Sequence, residues 1–163
     1  MEELFEVACP ARRRRLKGVI VINVVAVTVA FNRPETLSKT LFSLANQQQL
    51  SKIIVVDNGA TREVKDVIMA YERDFSSLVD TVETGENTGG AGGFFFGMKY
   101  AFEKYKPDWY WIMDDDAYPR KNCLDELLKH ADCSPGFLAP LIFGLEKSKF
   151  QIYHHKKMSR FLD

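Results

Sequence analysis

Short apolar runs with almost no polar residue inside them constrain the fold of this chain more than any other feature. Residues 24–31 (VVAVTVAF) and 53–56 (IIVV) are the clearest runs, and weaker ones occupy residues 78–82 and 109–113. Strands buried on both faces have this composition, because neither face accommodates the polar residues that alternate along a half-exposed strand. The sequence therefore predicts strands inside a sheet that helices cover on both sides.

Helical patterns fill the intervals between these runs. Leu37 and Leu41 recur at helical spacing after the first run, and similar stripes follow each of the later runs. Asn32 fits the cap of the first helix, with Pro34 in its first turn. The order β-α-β-α-β-α-β predicts an α/β sandwich with a mostly parallel central sheet, and residues 137–143 fit a further strand.

The composition indicates one ordinary globular domain. The chain has 163 residues, with 22 Lys plus Arg against 22 Asp plus Glu, so its formal net charge is +0. With no net charge to attract a polyanion, we expect no nucleic-acid partner. The three cysteines, Cys9, Cys123 and Cys133, form no C-x-x-C pair, so they indicate neither a zinc site nor a disulfide framework.

The N-terminal part begins with a basic cluster at residues 12–15, followed by an apolar run at residues 19–31. That run is shorter than the ~20 apolar residues that a membrane-spanning helix needs, so we expect no transmembrane segment. We interpret residues 1–18 as a poorly ordered basic leader, with weak attraction to an anionic membrane surface as the alternative.

The C-terminal part also differs from the domain, which we place at residues 19–145. Residues 146–163 are basic and predict no further element. His154 and His155 fit a solvated tail better than a metal site. Because no closing element follows the domain, we expect the chain to be a fragment or a truncated product.

Three consecutive carboxylates, Asp114, Asp115 and Asp116, follow the apolar run at residues 109–113. Two unit charges ~4 Å apart repel by about 4 kcal/mol at an effective dielectric of about 20. A divalent cation held by oxygen ligands is the simplest compensation. Since side chains alternate along an extended chain, we expect Asp114 and Asp116 to face one ion and Asp115 to point elsewhere. A solvated acidic turn is the alternative.

Polar or flexible segments follow the other predicted strands as well. Asp57 can accept hydrogen bonds from a base edge or cap its own turn, and Arg33 can contact a base or phosphate or lie exposed. Residues 85–93 predict a glycine-rich turn that lets a ligand approach the backbone, although they match neither G-x-G-x-x-G nor a P-loop. Ligands of parallel sheets bind beyond the carboxyl ends of the strands. Together these segments predict a nucleoside-diphosphate site.

The chain resembles family 2 glycosyltransferases of the GT-A fold, a Rossmann-like α/β sandwich. Four motifs carry the resemblance, in the order in which the family has them: VTVAFNR at 27–33, IVVDN at 54–58, ENTGGAGGF at 86–94 and WIMDDD at 111–116. The branch that contains rhamnosyltransferases and galactofuranosyltransferases is the most similar. The resemblance covers residues 24–140.

The resemblance implies a role for each motif. Phe31, Asn32 and Arg33 would border the base of a nucleotide-sugar donor, and Asp57 would read it. Asp114 and Asp116 match the ends of the D-x-D motif that holds Mn²⁺ or Mg²⁺, and both are implied metal ligands. The full set of implied nucleotide- and donor-binding residues is Ala30, Phe31, Asn32, Arg33, Asp57, Asn58, Asn87, Gly89, Gly90, Gly92, Gly93, Asp114 and Asp115.

The function implied by the resemblance is metal-dependent, inverting transfer of a rhamnose- or galactofuranose-like sugar. The donor would be a UDP- or dTDP-sugar and the acceptor a glycan or lipid-linked molecule. The placement would be cytoplasmic, with peripheral contact at the inner membrane face as an extension. Self-association into a homo-oligomer is a further expectation.

One departure from the family pattern limits this interpretation. The catalytic base and the acceptor-binding half follow the D-x-D motif at a distance that this chain does not reach. We therefore keep a non-catalytic donor-binding fragment as the alternative and a sugar nucleotidyltransferase as the weaker one. The catalytic residue is left unassigned.

Overall fold

A four-stranded parallel sheet forms the centre of the protein. The computed structural model describes residues 14–16, 19–131, 136–140 and 142. The sheet has the order β5-β4-β3-β6, and all three pairings are parallel. Its strands are β3 (Val24–Ala30), β4 (Leu50–Asp57), β5 (Val79–Glu83) and β6 (Trp109–Ile112). The α/β class with a parallel central sheet is confirmed.

Helices cover both faces of this sheet. They are α1 (Pro34–Ala45), α2 (Arg62–Asp74), α3 (Gly89–Tyr105) and the short α4 (Cys123–Leu128). Val24 and Ala26 of β3 belong to one apolar cluster with residues of α1 and α2, while Val25 and Val27 belong to a second with residues of α3. The central strands therefore carry continuous apolar runs, because successive residues face two different helical layers.

The edge strand β6 is less buried than its sequence predicted. Its four residues are half-buried or exposed, and Ile112 is 51% exposed. This strand pairs on one side with β3, and the described residues provide no further strand next to it. Residues 137–140 and 142 adopt no strand conformation, so the strand predicted at residues 137–143 is wrong over the described part.

The element boundaries differ from the prediction at three further places. The first helix is capped at Arg33 rather than Asn32 and has no side-chain cap bond. The glycine-rich segment is not a turn throughout, because α3 already begins at Gly89. A small antiparallel hairpin of β1 (Arg14–Leu16) and β2 (Val19–Val21) precedes the sheet, whereas the sequence predicted no regular structure before residue 19. The basic tail at residues 146–163 lies outside the described residues.

Candidate functional site

A cavity of about 390 Å³ lies at the carboxyl ends of β3, β4 and β6. Four segments meet there: the turns after these three strands and the start of α3. This is the edge of a parallel sheet where ligands bind. The lining residues are Val29, Phe31, Asn32, Arg33, Asn58, Asn87, Gly89, Gly90, Phe94, Asp114 and Asp115. Nine of them belong to the predicted set, and the structure brings these nine together around one space.

The glycines of the segment divide into two groups. Gly89 and Gly90 line the cavity, and a Cβ on either would meet no heavy atom within 4 Å. A Cβ on Gly93 would instead lie 2.6 Å from the Val29 Cγ1 atom of β3, and Gly92 lies against the side chain of Thr88. Gly92 and Gly93 do not line the cavity. Gly92 leaves room for the Thr88 side chain and Gly93 lets α3 pack closely on β3, and their contact with a donor stays a prediction.

Asn58 holds the start of α3 against the end of β4. Its side-chain oxygen accepts hydrogen bonds from the Thr88 backbone amide at 3.0 Å and from the Thr88 hydroxyl at 2.8 Å. Its amide nitrogen donates to the side-chain oxygen of Asn87 and to the carbonyl of Gly89, each at 3.2 Å. The buried Asn58 side chain thus fixes the backbone that lines one wall of the cavity.

Asp57 lies beside this wall but does not line the cavity. Its Oδ1 atom accepts a hydrogen bond from the Ala60 backbone amide at 2.7 Å, and its Oδ2 atom pairs with Lys65 Nζ at 3.2 Å. The residue is 3% exposed. These contacts are those of the turn cap, which was the alternative interpretation of Asp57. Its reading of a base stays a prediction.

The acidic triplet alternates in exposure along the chain, but the two members that line the cavity are neighbours in sequence. Asp115 is 3% exposed, lies between its neighbours' exposed side chains and binds Arg33 Nη2 through Oδ1. The Asp116 Oδ2 atom lies 2.6 Å from Arg33 Nη1. Asp115 also lines the cavity with Asp114, whereas Asp116 does not. The buried middle position of Asp115 matches the predicted alternation, and the facing of one ion by Asp114 and Asp116 stays a prediction.

Burial raises the pKa of Asp115, and the nearby Arg33 guanidinium offsets this only in part. The Thr40 hydroxyl of α1 donates a hydrogen bond to the Asp115 carbonyl at 2.8 Å, which ties the triplet to the first helix. Within the described residues, no hydrogen bond or ion pair engages the Asp114 carboxylate. Asp114 is therefore a cavity-facing carboxylate with unused capacity to accept.

The donor set fits a hard divalent cation in part. Mg²⁺ uses one or two carboxylates and completes its shell with water and substrate phosphates. Asp114 provides an uncommitted carboxylate, while one oxygen of Asp116 is held by Arg33. No group of three or more His, Cys, Asp or Glu in the described part of the chain converges as a complete metal site. A cation here would need ligands from a bound diphosphate, and a change at Arg33 would free Asp116.

Sequence reasoning missed two residues that line the cavity, and four residues of the predicted donor-binding set do not line it: Ala30, Asp57, Gly92 and Gly93. Val29 and Phe94 line the cavity, and Val29 is the last residue of β3 that faces α3. The alternation of β3 between its two faces would have identified it. Ala30 was expected to contact the donor, but it is fully buried in the cluster beneath α1.

The comparisons with known proteins identify the family of this chain. The model of glycosyl transferase family 2 matches residues 25–162. This match covers most of the chain, so the protein belongs to glycosyl transferase family 2, as the resemblance predicted.

Curated relatives include galactofuranosyltransferases named GlfT1. The chain is 36% identical over 101 residues to the one from Mycobacterium tuberculosis and 34% identical over 97 residues to the one from Mycolicibacterium smegmatis. Each match covers 59% of this chain, and 31% and 30% of the respective relatives. The chain thus spans about a third of the length of these relatives.

Solved structures show the fold. A mannosyltransferase from Pyrobaculum calidifontis, PcManGT in complex with GDP-Man and Mn²⁺, superposes with a TM-score of 0.58 at 20% identity, covering 68% of this chain and 33% of that one. S. aureus TarS superposes with a TM-score of 0.54 at 19% identity, covering 66% and 19%. The fold is GT-A, as expected.

Among the described residues, no helix combines the length and apolar character that crossing a membrane requires.

Proposed function

We propose that the cavity binds a nucleotide-sugar donor for a metal-dependent glycosyltransferase. The observation that carries this proposal is the convergence of four separate segments on one space. A free carboxylate, Asp114, and the start of α3 line the same cavity. A helix start offers unpaired amides to an anion, and a carboxylate offers ligands to a cation. A diphosphate with its counter-ion matches both.

The donor would lie across these segments. Its diphosphate would approach the backbone at Gly90, where no side chain fills the space. The neighbouring Gly89 amide already donates to Asn87 Oδ1 at 2.8 Å. Phe31 and Asn32 would border the base, as the family motif implies. Arg33 would lie on the diphosphate side of the donor, because it contacts Asp115 and Asp116. The Asn58 contacts would keep the α3 start in place during binding.

The cation would be Mn²⁺ or Mg²⁺, with Asp114 and Asp116 as its protein ligands. When bound, it would neutralise the charge that develops on the leaving diphosphate. Asp115 would hold Arg33 at the rim of the cavity. The catalytic base stays unassigned, and inversion of the anomeric centre is part of the proposal.

The sugar and acceptor are proposed from the relatives. Their names indicate galactofuranosyl transfer, so we propose a galactofuranose- or rhamnose-like sugar on UDP or dTDP. The acceptor would be a glycan or a lipid-linked molecule. A cytoplasmic placement, peripheral contact with the membrane and self-association stay predictions.

Isothermal calorimetry with UDP, dTDP and GDP tests donor binding. With Mn²⁺ present, UDP or dTDP should bind more tightly than with chelator, and Asp114→Ala should abolish that difference. Asp66→Ala is the matched control, since Asp66 lies exposed on α2. An equal metal effect in wild type and Asp114→Ala would refute the assignment of Asp114.

Donor binding without transfer is the second candidate. It is favoured by the coverage, since this chain matches about a third of the galactofuranosyltransferases and carries the cavity within that third. A transfer assay with a UDP-sugar and a glycan acceptor separates the two. If the chain only binds the donor, it should bind UDP and form no transfer product. Product formation by these residues would exclude this second candidate.

A further inference from the structure

Arg33 joins two carboxylates that come from a different strand. It follows β3, whereas Asp115 and Asp116 follow β6. One guanidinium nitrogen, Nη2, binds Asp115 Oδ1, and the other, Nη1, lies 2.6 Å from Asp116 Oδ2. A planar guanidinium is suited to such a two-pronged contact, and a lysine is not. Arg33 also lines the cavity.

The two ion pairs of Arg33 differ in the exposure of the carboxylate. The Asp115 side chain is 4% exposed, while those of Asp116 and Arg33 are 47% and 49% exposed. An ion pair with a buried member is costly to break, because it leaves an uncompensated charge inside the protein. An exposed pair is worth little, because water replaces either partner. Arg33 is thus anchored on Asp115 and exchangeable on Asp116.

This arrangement conflicts with direct metal binding. The ligand role proposed for Asp116 requires a carboxylate that a cation can approach, yet the Arg33 guanidinium already contacts it. A divalent cation placed beside the guanidinium would also be repelled. A phosphate oxygen can accept a charge-assisted hydrogen bond from Nη1 in place of Asp116, while Nη2 stays on Asp115.

We propose that Arg33 is a positioning residue that couples donor binding to metal binding, an inference that rests on the proposed function. In the free chain it contacts Asp116. When a nucleoside diphosphate enters the cavity, Arg33 contacts the phosphate oxygens, stays anchored on Asp115, and releases Asp116 for the cation. Coupling of this kind is reciprocal, so the metal increases the affinity for the nucleotide by the same factor.

Mn²⁺ titrations by calorimetry, with and without UDP, test this coupling. The variants are Arg33→Gln and Arg33→Lys. The control is Arg73→Gln, because Arg73 pairs with Asp74 in an exposed ion pair at the end of α2. Arg33→Lys keeps a positive charge beside the buried Asp115, so this variant should still fold. Thermal melts check that both variants are folded. Without UDP, we expect both Arg33 variants to bind Mn²⁺ more tightly than wild type.

The decisive quantity is the factor by which UDP increases Mn²⁺ affinity. Direct contact between the metal and the phosphate contributes equally to this factor in wild type and in each variant. The contribution of Arg33 is therefore the difference between the factor in wild type and the factor in the variant. We expect this factor to be smaller by at least about fivefold in either Arg33 variant, which is the lower end of usual coupling. Arg73→Gln should match wild type.

The outcomes separate this inference from the proposed function. A folded Arg33 variant with the wild-type coupling factor would overturn the inference while UDP binding still stands. If wild type and Arg73→Gln bind neither Mn²⁺ nor UDP, the proposed function fails and the inference fails with it.

Discussion

Asp80 and Asp114 lie at the two opposite edge strands of the sheet, and their carboxylates differ in whether the fold supplies hydrogen-bond donors to them. Asp80 on β5 accepts hydrogen bonds from Tyr100 and Lys104, at 2.9 and 2.7 Å, and from Tyr105, all of α3. Asp114, after β6, has no such partner among the described residues. A carboxylate whose donors all come from its own chain stabilises the fold, whereas one left without donors is available to a ligand.

The glycines of α3 show the same division along one helix. A Cβ on Gly97 would lie 2.5 Å from Val27 Cγ1 and 2.6 Å from Val56 Cγ2, whereas one on Gly90 would meet nothing within 4 Å. Gly97 is therefore needed for packing and Gly90 for an open cavity wall. Substitutions on the two sides of this division should affect different measurements.

The largest effect on stability is expected for Gly97→Ala. Val27 and Val56 are fully buried in central strands and cannot move aside without disturbing the sheet. Overpacking of this kind costs about 2–3 kcal/mol, even after the gain in helix propensity. Urea denaturation measures it, and an unchanged midpoint would show that α3 can shift away from the sheet.

The next effect is expected for Asp80→Asn, which keeps one acceptor but removes the charge. Loss of charge-assisted hydrogen bonds should cost about 1–2 kcal/mol at neutral pH. Although burial works against it, the hydrogen bonds from Lys104, Tyr105 and Tyr100 hold the pKa of Asp80 below its ordinary value.

This shift gives the Asp80 contribution a defined pH dependence. A carboxyl with a lowered folded-state pKa stabilises the fold above its unfolded pKa and loses that contribution as the pH falls through its folded pKa. The stability difference between wild type and Asp80→Asn should therefore shrink in acid, as urea denaturation at several pH values would show. A difference that stays constant with pH would contradict the role given to the network.

A much smaller stability effect is expected for Gly90→Ala, the matched partner of Gly97→Ala. Because nothing lies near its Cβ position, we expect the free energy of unfolding to change by less than about 0.5 kcal/mol. Nucleotide affinity should fall, since the methyl group projects from the cavity wall. Unchanged affinity in calorimetry would place the diphosphate away from this wall.

The smallest stability effect is expected for Asp114→Asn. The substitution removes a charge that no described ion pair uses and relieves repulsion of Asp115, so the unfolding midpoint should stay constant or rise slightly. A clear drop in the midpoint would mean that Asp114 supports the fold as Asp80 does.

The sequence predicted the fold well because the strands are buried on both faces. Four consecutive β-branched residues, as at residues 53–56, are typical of a strand that is buried on both faces. Parallel strands bring their carboxyl ends to one edge of the sheet. The site segments followed from that rule. Their membership of one cavity could therefore be predicted before any side chain was placed.

The finer assignments depended on contacts distant in sequence. Whether Gly93 lines a cavity or packs a helix depends on Val29, and only the folded chain brings the two together. The orientation of Asp115 depends on Arg33 and Thr40, which lie more than 70 positions earlier. A local rule of alternation cannot account for partners of this kind.

Anomalous diffraction from a crystal grown with UDP and Mn²⁺ tests the central claim most directly. We expect an Mn²⁺ peak at Asp114 and Asp116, a diphosphate between this peak and Gly90, and Arg33 in contact with phosphate and Asp115 only. A nucleotide bound elsewhere, or a peak distant from Asp114, would contradict it.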